Sequence, residues 1–353
     1  MSKIRLAILF GGVSPEHEVS CVSAAAVIDN LDKDKYEIYK IGITKDGRWF
    51  LTTADTQQIK SGRWAELKSN TSAVISPDRS YRGLILLRDT ETVSVELDCI
   101  YPVVHGKNCE DGVLQGLLEL SGVPYVGAGV ASSACSMDKS ITKLIAGAAG
   151  ITQADYILVR ASQLATNKAA VLDIVESYFN KYPLFIKPAN EGSSVGISKV
   201  HNRTELSNGL AEAAQYDEKI LVEETITGRE IETAVLGNDE LQVAKIGEIF
   251  SCNEFYDYEA KYADIGSETK IIDDISEELE QQIKETAAKV FKAMGCRGMA
   301  RIDFFLTEDN RIILNELNTL PGFTSISMYP KMWEATGLPY SKLLDTIIEL
   351  AME

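Results

Sequence analysis

The sequence predicts an α/β and α+β protein with more than one domain, and three observations lead to this prediction. The chain of 353 residues is too long for one typical hydrophobic core and suits two or three packed domains. Its first third alternates β-branched runs with helical stretches, as expected for helices packed on a parallel sheet. Near residue 130 the pattern changes to a lysine-bearing helix and apolar stretches around a small-residue loop. We therefore expect domain boundaries near residues 130 and 215.

Local sequence indicates the first strand and the first helix. Residues 4–10 form an apolar run, which predicts a buried strand. Ser14, Pro15 and Glu16 then supply an N-cap, a proline at the first helical position and an acid in the first turn, so we expect a helix to begin there. The other elements predicted before residue 130 are strands at 36–44 and 97–104, a helix at 113–120, and a strand with a turn at 124–127.

The rest of the chain predicts a second set of elements. They are a helix at 137–148, two apolar stretches within 182–200, and strands at 221–224 and 230–236. Ser276 is expected to cap a further helix, which Gly295 ends. The apolar face of that helix consists of Leu279, Ile283, Ala287, Val290, Phe291 and Met294.

Charge and composition exclude several classes of function. The formal net charge is −17, and a field of that sign repels nucleic acids and anionic membranes. No run approaches the roughly 18–20 apolar residues that span a bilayer. The six cysteines include no C-x-x-C pair and the chain has three histidines, so the spacing fits neither a zinc site nor a disulfide framework. We expect a cytoplasmic protein with reduced thiols.

The segment 301–318 predicts a metal-binding hairpin. Two strand-like stretches surround a tight turn, and folding about that turn puts Asp303 opposite Glu316 and Arg301 opposite Asn318. Two directly opposed carboxylates repel each other unless a cation lies between them. Carboxylate and amide oxygens suit Mg²⁺, which usually brings nucleotide phosphates with it. The alternative is an acidic hairpin face exposed to solvent.

Two further regions carry candidate binding groups. Lys187 ends an apolar strand before a loop of glycines and serines at 190–196, whose N–H groups and hydroxyls suit phosphate oxygens, although the loop lacks the Walker A pattern. Glu16 lies at a helix start, where an acid also favours the helix dipole without any other role. His105 follows a predicted strand, at the edge where open α/β sheets bind ligands.

Together these residues resemble the D-alanine–D-alanine ligase family of the ATP-grasp superfamily, over nearly the whole chain. Six motifs in order carry the resemblance. They occupy residues 11–20 (GGxSxExEVS), 105–112 (HGxxxEDG), 136–139 (SMDK), 187–196 (KPxxEGSSVG), 256–262 (YDYEAKY) and 315–324 (NExNTxPGFT).

The resemblance implies an ATP-grasp fold and a two-step reaction. Residues 1–130 would form a Rossmann-like substrate-binding domain, 131–215 a central domain and 216–353 a C-terminal domain, with ATP between the last two. One D-alanine carboxylate would attack the γ-phosphate of ATP, and the amine of a second D-alanine would displace phosphate from the acyl phosphate. The implied cofactors are ATP and two Mg²⁺, with Mn²⁺ as a substitute. The product would serve peptidoglycan synthesis, and the resemblance also implies a homodimer.

The resemblance also implies a role for each matching residue. The first substrate would meet Glu16, Ser193 and Tyr262, which form a hydrogen-bonded triad, together with His105. ATP would meet Lys139, Lys187, Ser194, Glu223, Glu224, Ile226, Glu230 and Lys261. Mg²⁺ would be bound by Asp303, Glu316 and Asn318. Arg301 and the Gly322 backbone would stabilise the tetrahedral intermediate, Ser327 and Met328 would line the second-substrate pocket, and residues 256–262 would form a lid that excludes water.

Departures from the family pattern bear on reactivity and on the second substrate. Cys109 replaces a glycine, so the turn must change if that position needs a positive φ. Tyr262 argues against D-lactate, and the apolar Met328 offers a D-serine hydroxyl no partner, which favours D-alanine and leaves a D-alanine–D-serine ligase as the alternative. The metal hairpin and the phosphate loop by themselves would also fit a different ATP-grasp carboxylate–amine ligase or carboxylase, or a non-catalytic nucleotide-binding homologue.

Overall fold

The computed structural model describes residues 2–250 and 268–353, and the strands in these ranges form three sheets. The N-terminal sheet contains β1 (Ile4–Gly11), β2 (Tyr36–Ile43), β3 (Trp49–Leu51), β4 (Thr71–Ile75), β5 (Gly83–Leu87), β6 (Thr92–Glu96) and β7 (Cys99–Pro102). The central sheet contains β8 (Tyr156–Arg160), β9 (Leu184–Pro188), β10 (Ser198–Val200) and β11 (Lys219–Glu224). The C-terminal sheet contains β12 (Arg229–Gly237), β13 (Gln242–Val243), β14 (Gly247–Phe250), β15 (Glu268–Ile271), β16 (Gly298–Leu306) and β17 (Ile312–Asn318).

The helices of the described residues connect and cover these sheets. They are α1 (His17–Asn30), α2 (Thr56–Lys60), α3 (Val113–Ser121), α4 (Val130–Met137), α5 (Lys139–Ala148), α6 (Ala161–Phe179), α7 (Arg203–Ala213), α8 (Glu277–Ala293), α9 (Met328–Ala335) and α10 (Tyr340–Met352). In this part of the chain, no helix has the length and apolar character needed to span a membrane.

The N-terminal sheet is mixed, whereas the sequence predicted a parallel sheet. Only β1 pairs in parallel, with β2 on one side and β7 on the other. From β2 to β6, each strand pairs antiparallel with the next; short loops connect these strands except β3 and β4, between which α2 lies. The strand predicted at 124–127 is reduced to a single parallel bridge between Ile100 and Tyr125. The parallel centre of the sheet is the part that carries α1 and the loop after β7.

Two helix boundaries differ from the prediction. Helix α1 begins at His17, with Glu16 rather than Ser14 at the N-cap. The Ser14 hydroxyl instead donates to the His105 carbonyl oxygen at 2.7 Å and accepts the Glu16 N–H, so it holds a turn before the helix. The helix predicted at 137–148 is divided, because Asp138 leaves the helical region and caps α5 by accepting the N–H groups of Ser140 and Ile141. Lys139 therefore lies in the first turn of α5.

The hairpin register predicted from the sequence is confirmed. Strands β16 and β17 pair antiparallel, with Asp303 opposite Glu316 and Arg301 opposite Asn318. The register shifts after Asp303, which leaves Asn315 as the extra residue of a β-bulge. Paired residues of antiparallel strands point to the same face of the sheet, so the acidic side chains of the hairpin share one face.

The buried side chains form a separate core beneath each sheet, and the last two helices join the N-terminal one. Met328, Trp333 and Ile347 of α9 and α10 belong to the same hydrophobic cluster as β1 and α1. Tyr36 at the start of β2 donates a hydrogen bond to Asp345 of α10 at 2.8 Å. The C-terminal end of the chain thus anchors the N-terminal sheet against the C-terminal sheet. The domain boundaries at 130 and 215 stay a prediction.

We expect Ile283→Ala in α8 to destabilise the protein by about 2–5 kcal/mol, because it removes a fully buried side chain from the core beneath the C-terminal sheet. The neighbouring Gln282 is exposed, so Gln282→Ala is the matched control and should shift the urea midpoint little. Urea unfolding followed by circular dichroism measures both. Equal midpoints for the two variants would contradict the assignment of α8 to this core.

Candidate active site

A cavity with a volume of about 960 Å³ opens between the three sheets. Its walls come from the turn after β1, the loop after β7, the start of α5, the loop after β9 and the faces of β12, β16 and β17. The predicted site residues that line it are Glu16, His105, Lys139, Ser193, Glu230, Arg301, Asp303, Glu316, Asn318, Gly322, Ser327 and Met328. A cavity of this size accommodates a nucleotide-sized ligand.

Glu16 and Ser193 meet across the cavity. The Ser193 hydroxyl donates to Glu16 Oε1 at 2.5 Å, which joins the turn before α1 to the loop after β9. Gly106 has φ +76°, and a Cβ atom on it would lie 2.5 Å from Glu16 Oε2, so a glycine is required where this carboxylate approaches the backbone. Ser193 and Ser194 adopt φ of +49° and +62°, which turns the loop sharply. The predicted third member of the triad, Tyr262, lies outside the described residues, as do Lys261 and the whole predicted lid, 256–262.

The loop after β7 places a buried histidine and a buried carboxyl group next to Glu16. His105 Nδ1 lies 3.1 Å from the Leu320 carbonyl oxygen and 3.8 Å from Glu110 Oε1. Burial lowers the pKa of His105, so the ring is neutral at pH 7. Burial, reinforced by the negative charge of Glu16, raises the pKa of Glu110 well above its ordinary value. The loop therefore adds less charge to the cavity than its residue types suggest.

Cys109 does not need a left-handed backbone. The positive φ angles of this loop fall at Gly106, Asn108 and Gly112, so a cysteine replaces the family's glycine without that strain. Burial raises the pKa of the Cys109 thiol to about 12, which makes a reactive thiolate at pH 7 unfavourable.

The basic residues on the side of the central sheet are half-buried and paired. Lys139 Nζ donates to the Glu191 carbonyl oxygen at 2.7 Å and lies 3.9 Å from Glu316 Oε2. Lys187 Nζ lies 2.8 Å from Glu223 Oε2 and donates to Asn315 Oδ1 at 3.2 Å. These contacts extend from α5 and the central sheet to the hairpin face of the C-terminal sheet.

Glu223 binds two lysines, one of which sequence reasoning missed. Lys143 Nζ lies 3.1 Å from Glu223 Oε1, and Lys187 holds the other carboxylate oxygen. Burial alone would raise the pKa of Glu223, but the two lysines lower it to about 2. Burial lowers the pKa of Lys143, and the Glu223 carboxylate opposes that effect. Lys143 follows Lys139 by four residues on one helix face, and this spacing was the signal available in the sequence.

Arg301 is held between two carboxylates. Its Nε and Nη2 atoms each donate to a different oxygen of Asp303 at 2.8 Å, and Nε lies 2.7 Å from Glu232 Oε2. Burial lowers the pKa of Arg301, but Asp303 and Glu232 raise it well above its ordinary value. Glu232 was also missed, although its position two residues after Glu230 on a strand puts both side chains on one face.

The oxygen ligands of the hairpin suit a magnesium ion shared with a nucleotide. Among the described residues, no three His, Cys, Asp or Glu side chains are grouped closely enough to hold a metal alone. Mg²⁺ usually takes only one or two carboxylates, and phosphates and water supply its remaining ligands. Asp303 and Glu316 are paired across β16 and β17, and Asn318 is on the same face. The Asn318 amide oxygen accepts one hydrogen bond, from the Leu320 N–H at 2.9 Å, and retains a second lone pair. The donor set therefore fits Mg²⁺ bound together with phosphates.

The loop between β17 and α9 closes one end of the cavity. The Ser327 hydroxyl accepts the Thr324 N–H at 3.0 Å, and a Cβ atom on Gly322 would approach this hydroxyl to 2.9 Å. Met328 begins α9, is 5% exposed, and packs its terminal methyl group over Gly247. This end of the cavity is therefore apolar where Met328 faces it and polar where Ser327 does.

Five predicted nucleotide residues lie outside the lining of this cavity: Lys187, Ser194, Glu223, Glu224 and Ile226. Glu224 accepts the Asp155 N–H at 3.1 Å and the Lys181 ammonium at 2.8 Å, and Ile226 is half-buried after β11. Glu224 is the last residue of β11, and Ile226 lies in the segment that connects the central and C-terminal sheets.

The arrangement of two β-sheets around buried lysines and paired carboxylates is typical of an ATP-dependent ligase of the ATP-grasp class. A family model described as D-ala D-ala ligase N-terminus matches residues 5–128, and one described as D-ala D-ala ligase C-terminus matches residues 145–349. The D-alanine–D-alanine ligase of Caldicellulosiruptor bescii is 49% identical, with 100% of this chain and 96% of that protein covered. That of Clostridium novyi is 48% identical, covering 99% and 98% of the respective chains.

Solved structures agree with these relatives. The VanG D-Ala:D-Ser ligase from Enterococcus faecalis is 40% identical with a TM-score of 0.90, covering 99% of this chain and 100% of that one. The D-alanine-D-alanine ligase from Coxiella burnetii is 38% identical with a TM-score of 0.87, covering 100% and 94%. The chain belongs to the D-alanine–D-alanine ligase family, and it has the ATP-grasp fold of these ATP-dependent ligases.

We expect Glu223→Gln to change the acid sensitivity of the protein. The folded pKa of about 2 lies below the ordinary value of 4.5, so the ionised carboxylate stabilises the fold above pH 4.5, and this contribution is lost as the pH falls toward 2. At pH 7 the variant should be less stable by roughly 3 kcal/mol, because two buried lysines lose their partner. The difference in the free energy of unfolding between the variant and wild type should become smaller between pH 5 and pH 3.

Thermal unfolding at a series of pH values measures this difference. Glu285→Gln, which removes an exposed carboxylate from α8, is the matched control and should follow wild type at every pH. A gap between Glu223→Gln and wild type that stays constant down to pH 3 would contradict the prediction.

Proposed function

We propose that this protein joins two D-alanines to D-alanyl-D-alanine with hydrolysis of ATP to ADP and phosphate. The observation that carries the proposal is the Ser193–Glu16 hydrogen bond at 2.5 Å, beside a cavity whose lining also includes Lys139 and the opposed carboxylates of Asp303 and Glu316. An ATP-dependent amino-acid ligase needs a carboxylate that binds the substrate's ammonium group and cationic groups that bind the phosphates of ATP. Two findings support the choice of D-alanine: the chain belongs to the family, and its relatives are named D-alanine–D-alanine ligases.

The first substrate is proposed to bind beside Glu16. The carboxylate of Glu16 would hold the ammonium group, and the Ser193 hydroxyl fixes its orientation. His105, neutral in its buried position, would help to position the substrate carboxylate without adding a second positive charge. Tyr262 is proposed to complete the triad from a lid that also carries Lys261 and excludes water from the acyl phosphate.

ATP is proposed to bind between the central and C-terminal sheets. Lys139, Lys187 and the Ser194 end of the loop after β9 would surround the phosphates. Glu223, Glu224 and Ile226 would meet the adenine, and Glu230 the ribose. Transfer of the γ-phosphoryl group spreads charge over its oxygens, and fixed lysines stabilise that charge without reorganising.

Two Mg²⁺ ions are proposed to be held by Asp303, Glu316 and Asn318 together with the nucleotide. When bound, the ions neutralise the charge of the phosphates and orient the γ-phosphoryl group for attack. Arg301, fixed by Asp303 and Glu232, and the backbone at Gly322 would stabilise the tetrahedral intermediate that forms when the second amine attacks the acyl phosphate. The C–N bond forms in that attack; collapse of the intermediate then restores the carbonyl group and breaks the C–O bond to phosphate, which leaves as the nitrogen loses a proton.

D-Serine is the second candidate for the acceptor substrate, because a D-Ala:D-Ser ligase has a TM-score of 0.90 against this chain. Ser327 and Met328 are proposed to line the acceptor pocket. Met328 gives a serine hydroxyl no hydrogen-bond partner, while the methyl group of alanine needs none. An apolar wall such as Met328 rejects an added hydroxyl by roughly 10²-fold at most, so we propose D-alanine as the preferred acceptor.

The proposed cellular role follows from the product. D-Alanyl-D-alanine is a precursor of peptidoglycan, and its synthesis from ATP belongs in the cytoplasm. We also propose a homodimer, on the strength of family membership alone.

We expect purified protein with ATP, Mg²⁺ and D-alanine to form mostly D-alanyl-D-alanine, even with equimolar D-serine or D-lactate present. Mass spectrometry of the products measures the ratio, and ADP release measures coupling to ATP. A product dominated by D-alanyl-D-serine would favour the second candidate. ATP turnover that does not depend on D-alanine would contradict both.

We expect Met328→Arg to reduce the share of D-alanyl-D-alanine among the products. A cation and five N–H donors would replace the apolar side chain at the acceptor end of the cavity, which favours acceptors with an oxygen substituent. Met328→Leu keeps the pocket apolar and is the matched control. The same competition assay measures both variants, and an unchanged product ratio in Met328→Arg would show that Met328 does not set the preference for the acceptor.

A further inference from the structure

Glu223 on β11 is a bridge between two lysines from different elements. Lys143 on α5 lies 3.1 Å from Oε1, and Lys187 on β9 lies 2.8 Å from Oε2. All three side chains are nearly inaccessible, with 6%, 8% and 12% exposure for Lys143, Glu223 and Lys187. Both ammonium groups share this one carboxylate, so the location of each depends on the other.

Lys187 extends the same chain of contacts to the C-terminal sheet. Its ammonium donates to Asn315 Oδ1 at 3.2 Å, and Asn315 is the extra residue of the bulge beside Asp303 and Glu316. Bulges change the direction of a side chain, and this one lets an amide reach the lysine of the opposite sheet. Glu223 and Asn315 thus fix Lys187 from two sides.

We propose that Lys143 is a positioning residue for nucleotide binding, which acts through Glu223 to orient Lys187 toward the phosphates and gives the cluster of three side chains its net positive charge. This proposal depends on the function proposed above in one respect, namely that the nucleotide is ATP or ADP. Lys143 does not contact the phosphates in this scheme. It also lies outside the lining of the cavity, whereas Lys139 lines it.

The charge balance of the cluster gives the physical reason. With Lys187 alone, Glu223 would neutralise the one cation and little attraction for phosphate would remain. The second lysine brings the three groups to a net charge of one positive unit. In a buried site this excess is weakly screened, so its loss affects a bound polyphosphate strongly. A further contact holds Lys143 itself, since its ammonium lies 5.1 Å from the centre of the Tyr156 ring.

The experiment compares ligands with and without phosphates. In Lys143→Met, we expect the Kd for ADP and the KM for ATP to rise on the order of tenfold, while the Kd for adenosine and the KM for D-alanine change little. Isothermal titration of the full chain with ADP and with adenosine gives the binding values without any need for turnover. A failure of the proposed ligase reaction would therefore leave this test intact.

Two further variants separate positioning from a structural role. Lys143→Arg keeps the charge and should restore most of the ADP affinity. In a Glu223→Gln background, Lys143→Met should weaken ADP binding much less than it does alone, because the bridge through which it acts is already changed. Lys292→Met removes an exposed lysine of α8 and is the matched control for net charge.

The outcomes decide the proposal in either direction. Selective loss of ADP affinity, rescue by arginine and non-additivity with Glu223→Gln support it. Equal loss for ADP and adenosine, no loss for either, or full additivity of the two substitutions overturns it. If Lys143→Met does not fold, Lys143→Gln keeps a hydrogen-bond donor to Glu223 without the charge, and the same pair of titrations then applies.

Discussion

The burial of charge around one cavity is the constraint on which the structure depends. A charged group leaves water at a large cost unless it is paired and hydrogen-bonded. Here Lys143 and Lys187 share Glu223, and Arg301 lies between Asp303 and Glu232. Each cluster joins groups from more than one strand or helix, so each forms only when those elements are in their native arrangement.

Such clusters specify an arrangement more than they add stability. Replacing a buried ion pair by apolar residues of similar volume is often neutral or stabilising, whereas removing one partner is strongly unfavourable. The hydrophobic cores beneath the three sheets supply the driving force for folding. The paired charges then fix how α5 packs on the central sheet and how β12 and β16 lie together, because in these two clusters each ammonium and guanidinium group has a carboxylate partner.

The parts of this arrangement that are local in sequence could be predicted. The register of β16 and β17 follows from a tight turn and a period of two, which is why the pairing of Asp303 with Glu316 was predicted correctly. The pairing of Lys143 with Glu223 could not be predicted, because 80 residues separate them (223 − 143) and no local pattern relates α5 to β11. The antiparallel half of the N-terminal sheet was missed for a related reason, since β-branched runs do not encode strand direction.

The start of α1 shows how the site itself overrides local preference. Ser14, Pro15 and Glu16 carry the signals of a helix N-terminus, yet Ser14 binds the loop after β7 instead and the helix begins at His17. The consequence is that Glu16 occupies the N-cap with no cap made by its own side chain, and its carboxylate is directed to Ser193 across the cavity. A helix that began at Pro15 would use Ser14 as its cap and lose the hydrogen bond to His105. The helix therefore lacks an ordinary N-cap, and the Ser14–His105 and Glu16–Ser193 hydrogen bonds form instead and join three loops. These contacts determine where the Glu16 carboxylate lies in the cavity.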